Sequence, residues 1–401
     1  MYNVSLVIVS WQRPLELARC MTAIGQLEGV GLQVIIVACK IGVQAAYSHQ
    51  LSGQCLILET DEANVAKARN KGLASASAPL VAFIDDDAVP EPTWLKLLIA
   101  PFENVDIQMV GGQVLGRNGI SQQWGQRFLT TWGESLDTPK QDTVVRTEGT
   151  NMAIRRKTLL HLNGFDPLFS FFHDDADLNM RVRDGILYVP EAIVHHGFAA
   201  GPHRRSDRVP KNLFQIGFSQ AIFLRKHAKH HETEIAWEHF AQKQADRLIK
   251  LVQSGAIEPR DMRRLLSQLD AGHVAAKMQK ISKPVVIETP AHAHDFQKPV
   301  IQKRHVLTGW HWQKRQLHER ACSLTKQGKL VSVFSFSLTT LYHQINYTPD
   351  GYWMQSGGLF GRSKRSESII QVFTMMGRVA AECQRLAGQR GFNDDLMIEK
   401  L

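Results

Sequence analysis

The sequence predicts an α/β fold: a mostly parallel sheet with helices on both faces, then a helical extension and a small C-terminal α/β module. Short continuous apolar runs at residues 4–9, 34–37, 55–58 and 80–84 read as strands buried on both sides. Helical spacing separates these runs, and after Gly197 the chain changes character to helical patterns with basic faces.

The first run ends in Ser10, and Pro14 follows where a first helical turn tolerates it, with Leu17, Cys20, Met21 and Ile24 at helical spacing. A second helix is predicted over 64–76, between the third and fourth runs. In such sheets ligands bind beyond the carboxyl ends of the strands, where Ser10, Ala38 and Asp85 to Asp87 fall. Residues 148–197 read as strand, helix, turn, helix and strand, with Asn163 and Gly164 ending the first helix and Gly185 the second. Leu213, Ile216, Gly217 and Gln220 then give a partial apolar stripe within the helical stretch 210–281. Residues 284–300 hold three prolines without periodicity and read as a linker; His292, His294 and Asp295 there read as loop residues rather than metal ligands. Beyond residue 300, KLVSVFSFSL reads as a strand, TPDG as a turn, and Ile369, Phe373, Met376, Ala380 and Cys383 as the stripe of a long helix. The expected division is a first domain over 1–205, a helical extension over 206–283, the linker, and a module of unknown role over 301–401.

With 401 residues, 44% apolar and 21% charged, the composition is that of a globular protein, and no apolar run reaches the length of a membrane span. Residues 1–10 read as a strand rather than a signal peptide, so a cytoplasmic place is expected. Five cysteines without CxxC spacing suggest neither a disulfide framework nor a zinc site. Residues 1–200 carry 16 Lys and Arg against 21 Asp and Glu, whereas 201–401 carry 31 against 17. That basic half calls for an anionic partner, such as a lipid surface on the inner face of the membrane or a diphosphate-linked acceptor. Nucleic acid is disfavoured, because the aromatics are not interleaved with the basic residues as stacking platforms would be.

Chemistry concentrates in two acidic clusters. FIDDDAVPEPTWL, residues 83–95, crowds Asp85, Asp86 and Asp87 after an apolar run. Two like charges about 4 Å apart repel by roughly 4 kcal/mol at an effective dielectric of about 20, so a cleft holding them needs a cation. In extended backbone Asp85 and Asp87 share one side and Asp86 takes the other. Two carboxylates with substrate phosphates suit Mg2+ or Mn2+. The second cluster, HDDADL at residues 173–178, opens a helix, where carboxylates are favoured by the dipole. There Asp174 reads as a cap or a base, Asp175 as the preferred general base, and Asp177 as solvent-facing.

Together these stretches resemble the GT-A-fold glycosyltransferases, in particular glycosyltransferase family 2, over roughly residues 3–230. The resemblance rests on four ordered blocks: VSLVIVSWQRPLELARCMTAI; NVAKARNKGLASASAPLVAFIDDDAVPEPTWL; GTNMAIRR with NGFDPLF and DDADL; and YVPEAIVHHG. It implies an inverting, metal-dependent enzyme that moves a sugar from a nucleotide-sugar donor to a hydroxyl of a glycan or lipid-linked acceptor. Residue by residue it implies Asp87 and Asp85 on Mn2+ or Mg2+, with His195 or His196 as a further ligand. Ser10, Arg13, Arg69, Asp85 and Asp86 would lie at the nucleotide and diphosphate, Asp175 with Asp174 beside it would supply the base, and Trp124 and Trp132 fall in the stretch that often meets sugar or acceptor. One departure stands out: the second strand ends in Ala38 and Cys39 where relatives often carry an Asp that reads the base, leaving Asp61 or another group for that task. The rival reading is a non-catalytic nucleotide- or glycan-binding subunit that keeps the fold.

Overall fold

The computed structural model describes residues 3–197, 199–281, 287, 302–393 and 395–401. The linker expected over 284–300, with His292, His294 and Asp295, therefore lies outside the described residues apart from Ile287.

The chain begins with β1 (Val4–Ser10), α1 (Pro14–Ile24), β2 (Leu32–Ala38), α2 (Lys40–Ser48), β3 (Cys55–Glu59), α3 (Val65–Ser75) and β4 (Leu80–Asp85). The four strands pair in parallel in the order β3-β2-β1-β4. Successive side chains point to opposite faces, so Leu6, Ile8, Val34 and Ile36 pack with Leu17, Met21 and Ile24 of α1, whereas Val7, Ile35, Val37 and Phe83 pack with Ala66 and Leu73 of α3. Gly72 lets α3 lie close on the sheet, since a Cβ there would sit 2.4 Å from a methyl of Val7. The Asn64 side chain caps α3 by accepting from the Lys67 N–H at 3.0 Å.

The sheet then becomes mixed. β5 (Ala88–Pro90), α4 (Trp94–Ile99), β6 (Met109–Leu115) and β7 (Gln122–Trp124) are followed by a small three-stranded sheet of β8 (Phe128–Leu129), β9 (Ser135–Leu136) and β10 (Val144–Val145). Next come β11 (Met152–Arg155), α5 (Arg156–His161), α6 (Asp174–Val182) and β12 (Ile186–His196). The main sheet continues β4-β11-β6-β12-β5, with β11 antiparallel to both neighbours and β6 parallel to β12. Between Val189 and Ile193 the β12 register jumps while β6 advances only from Gly112 to Gln113. Asn151 secures this bulge by donating to the Ala192 and Gln113 carbonyls, each at 2.9 Å, and a Cβ at Gly112 would strike the Ala192 oxygen.

α7 (Phe214–His227), α8 (Thr233–Gln253) and α9 (Pro259–Met278) form the helical extension. α7 and α9 meet at two glycines, Gly217 against the Leu269 backbone and Gly272 against that of Phe214. The C-terminal module contains β13 (Arg304–Trp310), α10 (Lys314–Lys326), β14 (Leu330–Ser337), β15 (Gln344–Tyr347), β16 (Trp353–Gly358), α11 (Met375–Arg390) and β17 (Met397–Lys400), with sheet order β15-β16-β14-β13-β17. One face packs on Leu317, Ala321 and Leu324 of α10, the other on Met375, Val379, Cys383 and Leu386 of α11. The stripe expected from Ile369 to Cys383 is thus corrected. Thr374 accepts the Gly377 N–H and starts the helix at Met375, which leaves Ile369 in a loop and Met376 and Ala380 exposed.

The module docks on the first domain through Ala23, Val89, Ile345, Tyr347 and Trp353. Beside this apolar contact, Arg390 of α11 donates to Glu91 at 3.1 Å, both side chains buried. Five free cysteines are present, and no described helix is long and apolar enough to cross a membrane.

Candidate active site

The carboxyl ends of β1 and β4, the N-terminal part of α3, the start of α6 and the 201–210 loop enclose a cavity of about 440 Å3. Ser10, Arg13, Arg69, Asp85, Asp86, Asp174 and Asp175 all line it, and Asp87 and His196 lie buried behind its wall. Trp124 also lines it, whereas Trp132 is tied to Glu232 by its indole N–H at 3.0 Å and packs with the helical extension. Asp61 is exposed and outside the lining, while its neighbours Thr60, Glu62 and Ala63 belong to it.

Asp85, Asp87 and His196 bring one ligand atom each to within 4.8 Å of one another, two carboxylate oxygens and an imidazole nitrogen. That donor set fits a divalent cation such as Mn2+ or Mg2+. His196 Nε2 lies 3.2 Å from Asp87 Oδ1, and Nδ1 lies 3.2 Å from Gln123 Oε1, an acceptor suited to fixing the ring. His195 points to the other face of β12: its Nε2 is 2.9 Å from Glu91 and its ring packs on Trp353 of the C-terminal module. Of the two histidines suggested by the sequence, the structure brings only His196 to the carboxylates.

The crowding of like charge is resolved locally. Arg13 donates to Asp86 at 2.9 Å and lies 3.5 Å from Asp87, and the Ser10 hydroxyl donates to Asp86 at 2.8 Å. Asp86 is therefore not turned away from its neighbours, because the backbone turns at residue 86 instead of staying extended. Burial, and then the Asp87 charge, push the Asp86 carboxyl up to about 7 against Arg13 and Ser10. Burial also works against ionised Asp87, but His196 foremost, Arg13 and the Ala199 N–H hold its carboxyl well below the usual range.

Another wall of the cavity is built on α3 and α6. Asn70 accepts the Phe165 N–H and donates to the Phe165 carbonyl, stapling the NGFDP turn to α3. The adjacent Arg69 points into the cavity, where it donates to Asp85 at 3.1 Å and to Asp174. Burial pushes the Asp174 carboxyl up to about 7, opposed by Arg69. Asp175 is half-buried, and its oxygens accept from the Gly149 N–H at 2.9 Å and the Ala176 N–H at 2.7 Å. Asp177, expected to face solvent, is fully buried between Arg181 at 2.7 Å, His227 at 2.9 Å and Lys226. The first turn of α6 faces the core there, so Asp177 anchors α7.

Asp85, Asp86, Asp87, Asp174 and Asp175 thus gather with Arg13 and Arg69 at a cavity whose lining also holds Glu62, Glu148, Arg146, Arg204, Arg208 and Arg247. A scan against family models matches residues 5–162 to Glycosyl transferase family 2. Residues 5–162 are of the glycosyltransferase family 2 type.

Named relatives of the family 2 domain include the glucosyl-dolichyl phosphate glucuronosyltransferase of Haloferax volcanii, 28% identical over 124 residues, covering 28% of this chain and 38% of that protein. The pre-mycofactocin glycosyltransferase of Mycobacterium tuberculosis is 25% identical over 170 residues, covering 40% of this chain and 35% of that protein. The chain thus spans little more than a third of the curated relatives it matches. Among solved structures, the mannosyltransferase PcManGT from Pyrobaculum calidifontis, in complex with GDP-Man and Mn2+, aligns with a TM-score of 0.41 and 15% identity, over 69% of this chain and 87% of that one.

Several residues of the family 2 domain's site escaped the sequence. Glu148 pairs with Arg146 at 2.8 Å beside Asp175, and burial lifts its carboxyl to about 7 against that arginine. Arg204, Arg208 and Arg247 line the far wall of the cavity, and Arg247 donates to the Arg208 carbonyl at 3.0 Å. The basic composition after residue 200 was their only signal. Glu91 lies within the acidic motif, but its partner Arg390 stands 299 residues away, a separation that no local pattern bridges.

Proposed function

We propose that the chain is an inverting, metal-dependent glycosyltransferase that moves a sugar from a nucleotide-diphosphate donor to a hydroxyl of a glycan or lipid-linked acceptor. One observation carries the reading: Asp85, Asp87 and His196 gather beside the same cavity that Asp174 and Asp175 line from the start of α6. The match to the family model and the name of the Haloferax relative, with its dolichyl phosphate, support the reaction class and a lipid-linked acceptor.

Asp175 is the better base. Asp174 is engaged by Arg69 and buried, whereas Asp175 is reachable from the cavity and oriented by two backbone N–H groups. Asp175 takes the proton of the acceptor hydroxyl as that oxygen attacks the anomeric carbon; the bond to the diphosphate breaks, and its electron pair leaves with the diphosphate. Asp85, Asp87 and His196 would hold Mn2+ or Mg2+, which when bound offsets the charge of the departing diphosphate. Arg69 joins the two halves of the site by bridging Asp85 and Asp174. The nucleotide is assigned to the region around Ser10, Arg13, Thr60 and residues 62–65. A panel of nucleotide sugars with Mn2+, read by thermal shift and donor hydrolysis, tests the reading. Turnover by Asp87→Ala equal to that of the wild type in the presence of metal would refute the ligand assignment.

A further inference from the structure

We propose that two adjoining loops of the C-terminal module, residues 337–343 and 358–373, form a docking surface for an anionic lipid bilayer. The proposal rests on the lipid-linked acceptor reading above and deepens it. The loops lie side by side at the carboxyl ends of β14 and β16. Phe360 N–H donates to the Thr339 carbonyl at 3.1 Å, Gln371 N–H to the Phe360 carbonyl at 2.9 Å, and His343 N–H to the Arg362 carbonyl at 3.1 Å.

Together they expose Leu338, Leu341, Tyr342, Ile369, Ile370 and Val372, of which Ile369, Ile370 and Val372 are 69%, 63% and 90% exposed. Large apolar side chains this open, on two neighbouring loops, are not core residues of the module, whose helix α11 buries Met375, Val379 and Cys383 instead. Charge identifies the occupant. The same loops carry Arg362, Lys364 and Arg365 but one carboxylate, Glu367, which is occupied in accepting the Ser363 and Lys364 N–H groups at 2.7 and 3.1 Å. Arg362 lies over the Tyr342 ring at 4.2 Å, joining the basic rim to the apolar tip. Apolar side chains at the tip with cations beside them match the boundary between acyl chains and anionic headgroups, which neither an apolar protein partner nor a second basic copy of this loop matches as well.

The surface is also placed to serve the cavity. Arg365 donates to the Ser121 hydroxyl at 3.1 Å, three residues before Trp124, which lines the cavity. Arg117 of the same hairpin donates to the Ser206 carbonyl in the loop that carries Arg204 and Arg208. A bilayer seated on the loops would therefore lie beside the basic wall of the cavity, where a lipid-linked acceptor enters.

Flotation of the full chain with vesicles of phosphatidylcholine, alone or mixed with phosphatidylglycerol, tests this. The wild type is expected to favour the anionic vesicles, and Lys364→Ala with Arg365→Ala to lose roughly fivefold in partitioning per charge. Ile369→Ser, Ile370→Ser and Val372→Ser combined should lose at least about tenfold, with thermal stability and donor hydrolysis unchanged. Hydrogen exchange should slow in both loops when vesicles are added. Vesicle binding unaffected by the serine variant, or a wild type that binds no vesicles, would overturn the surface. So would concentration-dependent self-association, without vesicle binding, that the serine variant reverses. Donor hydrolysis without vesicle binding leaves the catalytic reading standing and removes the surface; vesicle binding lost in the serine variant, with no turnover of any donor, supports the surface and removes the catalytic reading.

Discussion

At the scale of single residues, His195 and His196 are neighbours in sequence with separate tasks. His196→Ala should weaken Mn2+ affinity by at least about 10-fold and also lower the melting temperature, because it takes a partner from buried Asp87. His195→Ala should leave metal affinity near the wild-type value and lower the melting temperature, because it empties a contact between Glu91 and Trp353. Isothermal titration separates the two variants, and thermal denaturation checks the loss of stability in each. Asp175→Asn is expected to cost about 10²- to 10⁴-fold in turnover while donor binding persists, the pattern of a lost base. Both acidic clusters were legible in the sequence because their order between apolar runs is local information. The choice between the histidines was not, since it depends on which face of β12 meets the module.

At the scale of elements, β5 and α11 are tied by Glu91, the residue after β5, and Arg390. Burial works against ionised Glu91, but Arg390 foremost and His195 hold its carboxyl down to about 2. Its folded value lies below the ordinary 4.5, so the stability it contributes is present above that pH and lost as pH falls from 4.5 towards 2. Glu148 has the opposite sign: its value is raised from 4.5 to about 7, so its contribution declines as pH rises through that interval. Denaturation series in Glu91→Gln and Glu148→Gln should flatten the acidic and the near-neutral limbs respectively. Glu91→Ala, which strands a buried guanidinium, should cost about 3–5 kcal/mol by chemical denaturation. β1 to β4 and α3 were legible within a residue or two, because buried runs and an Asn cap are strong signals. α11 was misphased because exposed Ile369 and Met376 fall at helical spacing with buried Cys383, and periodicity cannot tell a core stripe from apolar residues kept for solvent or a partner.

At the scale of the whole molecule, the C-terminal module is a structural wall of the family 2 domain. Trp353, Tyr347 and Ile345 cover Val89 and Ala23, and Gln26 donates to the Gly351 carbonyl at 2.7 Å. A chain ending at residue 281 should therefore lose solubility, measured as the soluble fraction on expression, because that apolar face and Glu91 would be left open. The basic excess after residue 200 was visible from composition, yet its division between the cavity wall and the module loops needed the fold. The bulge in β12 has a consequence for how the chain can vary. Beyond Val189 the alternation of the strand decides that His196 meets Asp87 and His195 meets Glu91. Gaining or losing a single residue after the bulge would exchange the two rings, while a change of two would preserve their phase. Length variation among descendants of this sequence should accordingly come in even steps along that segment.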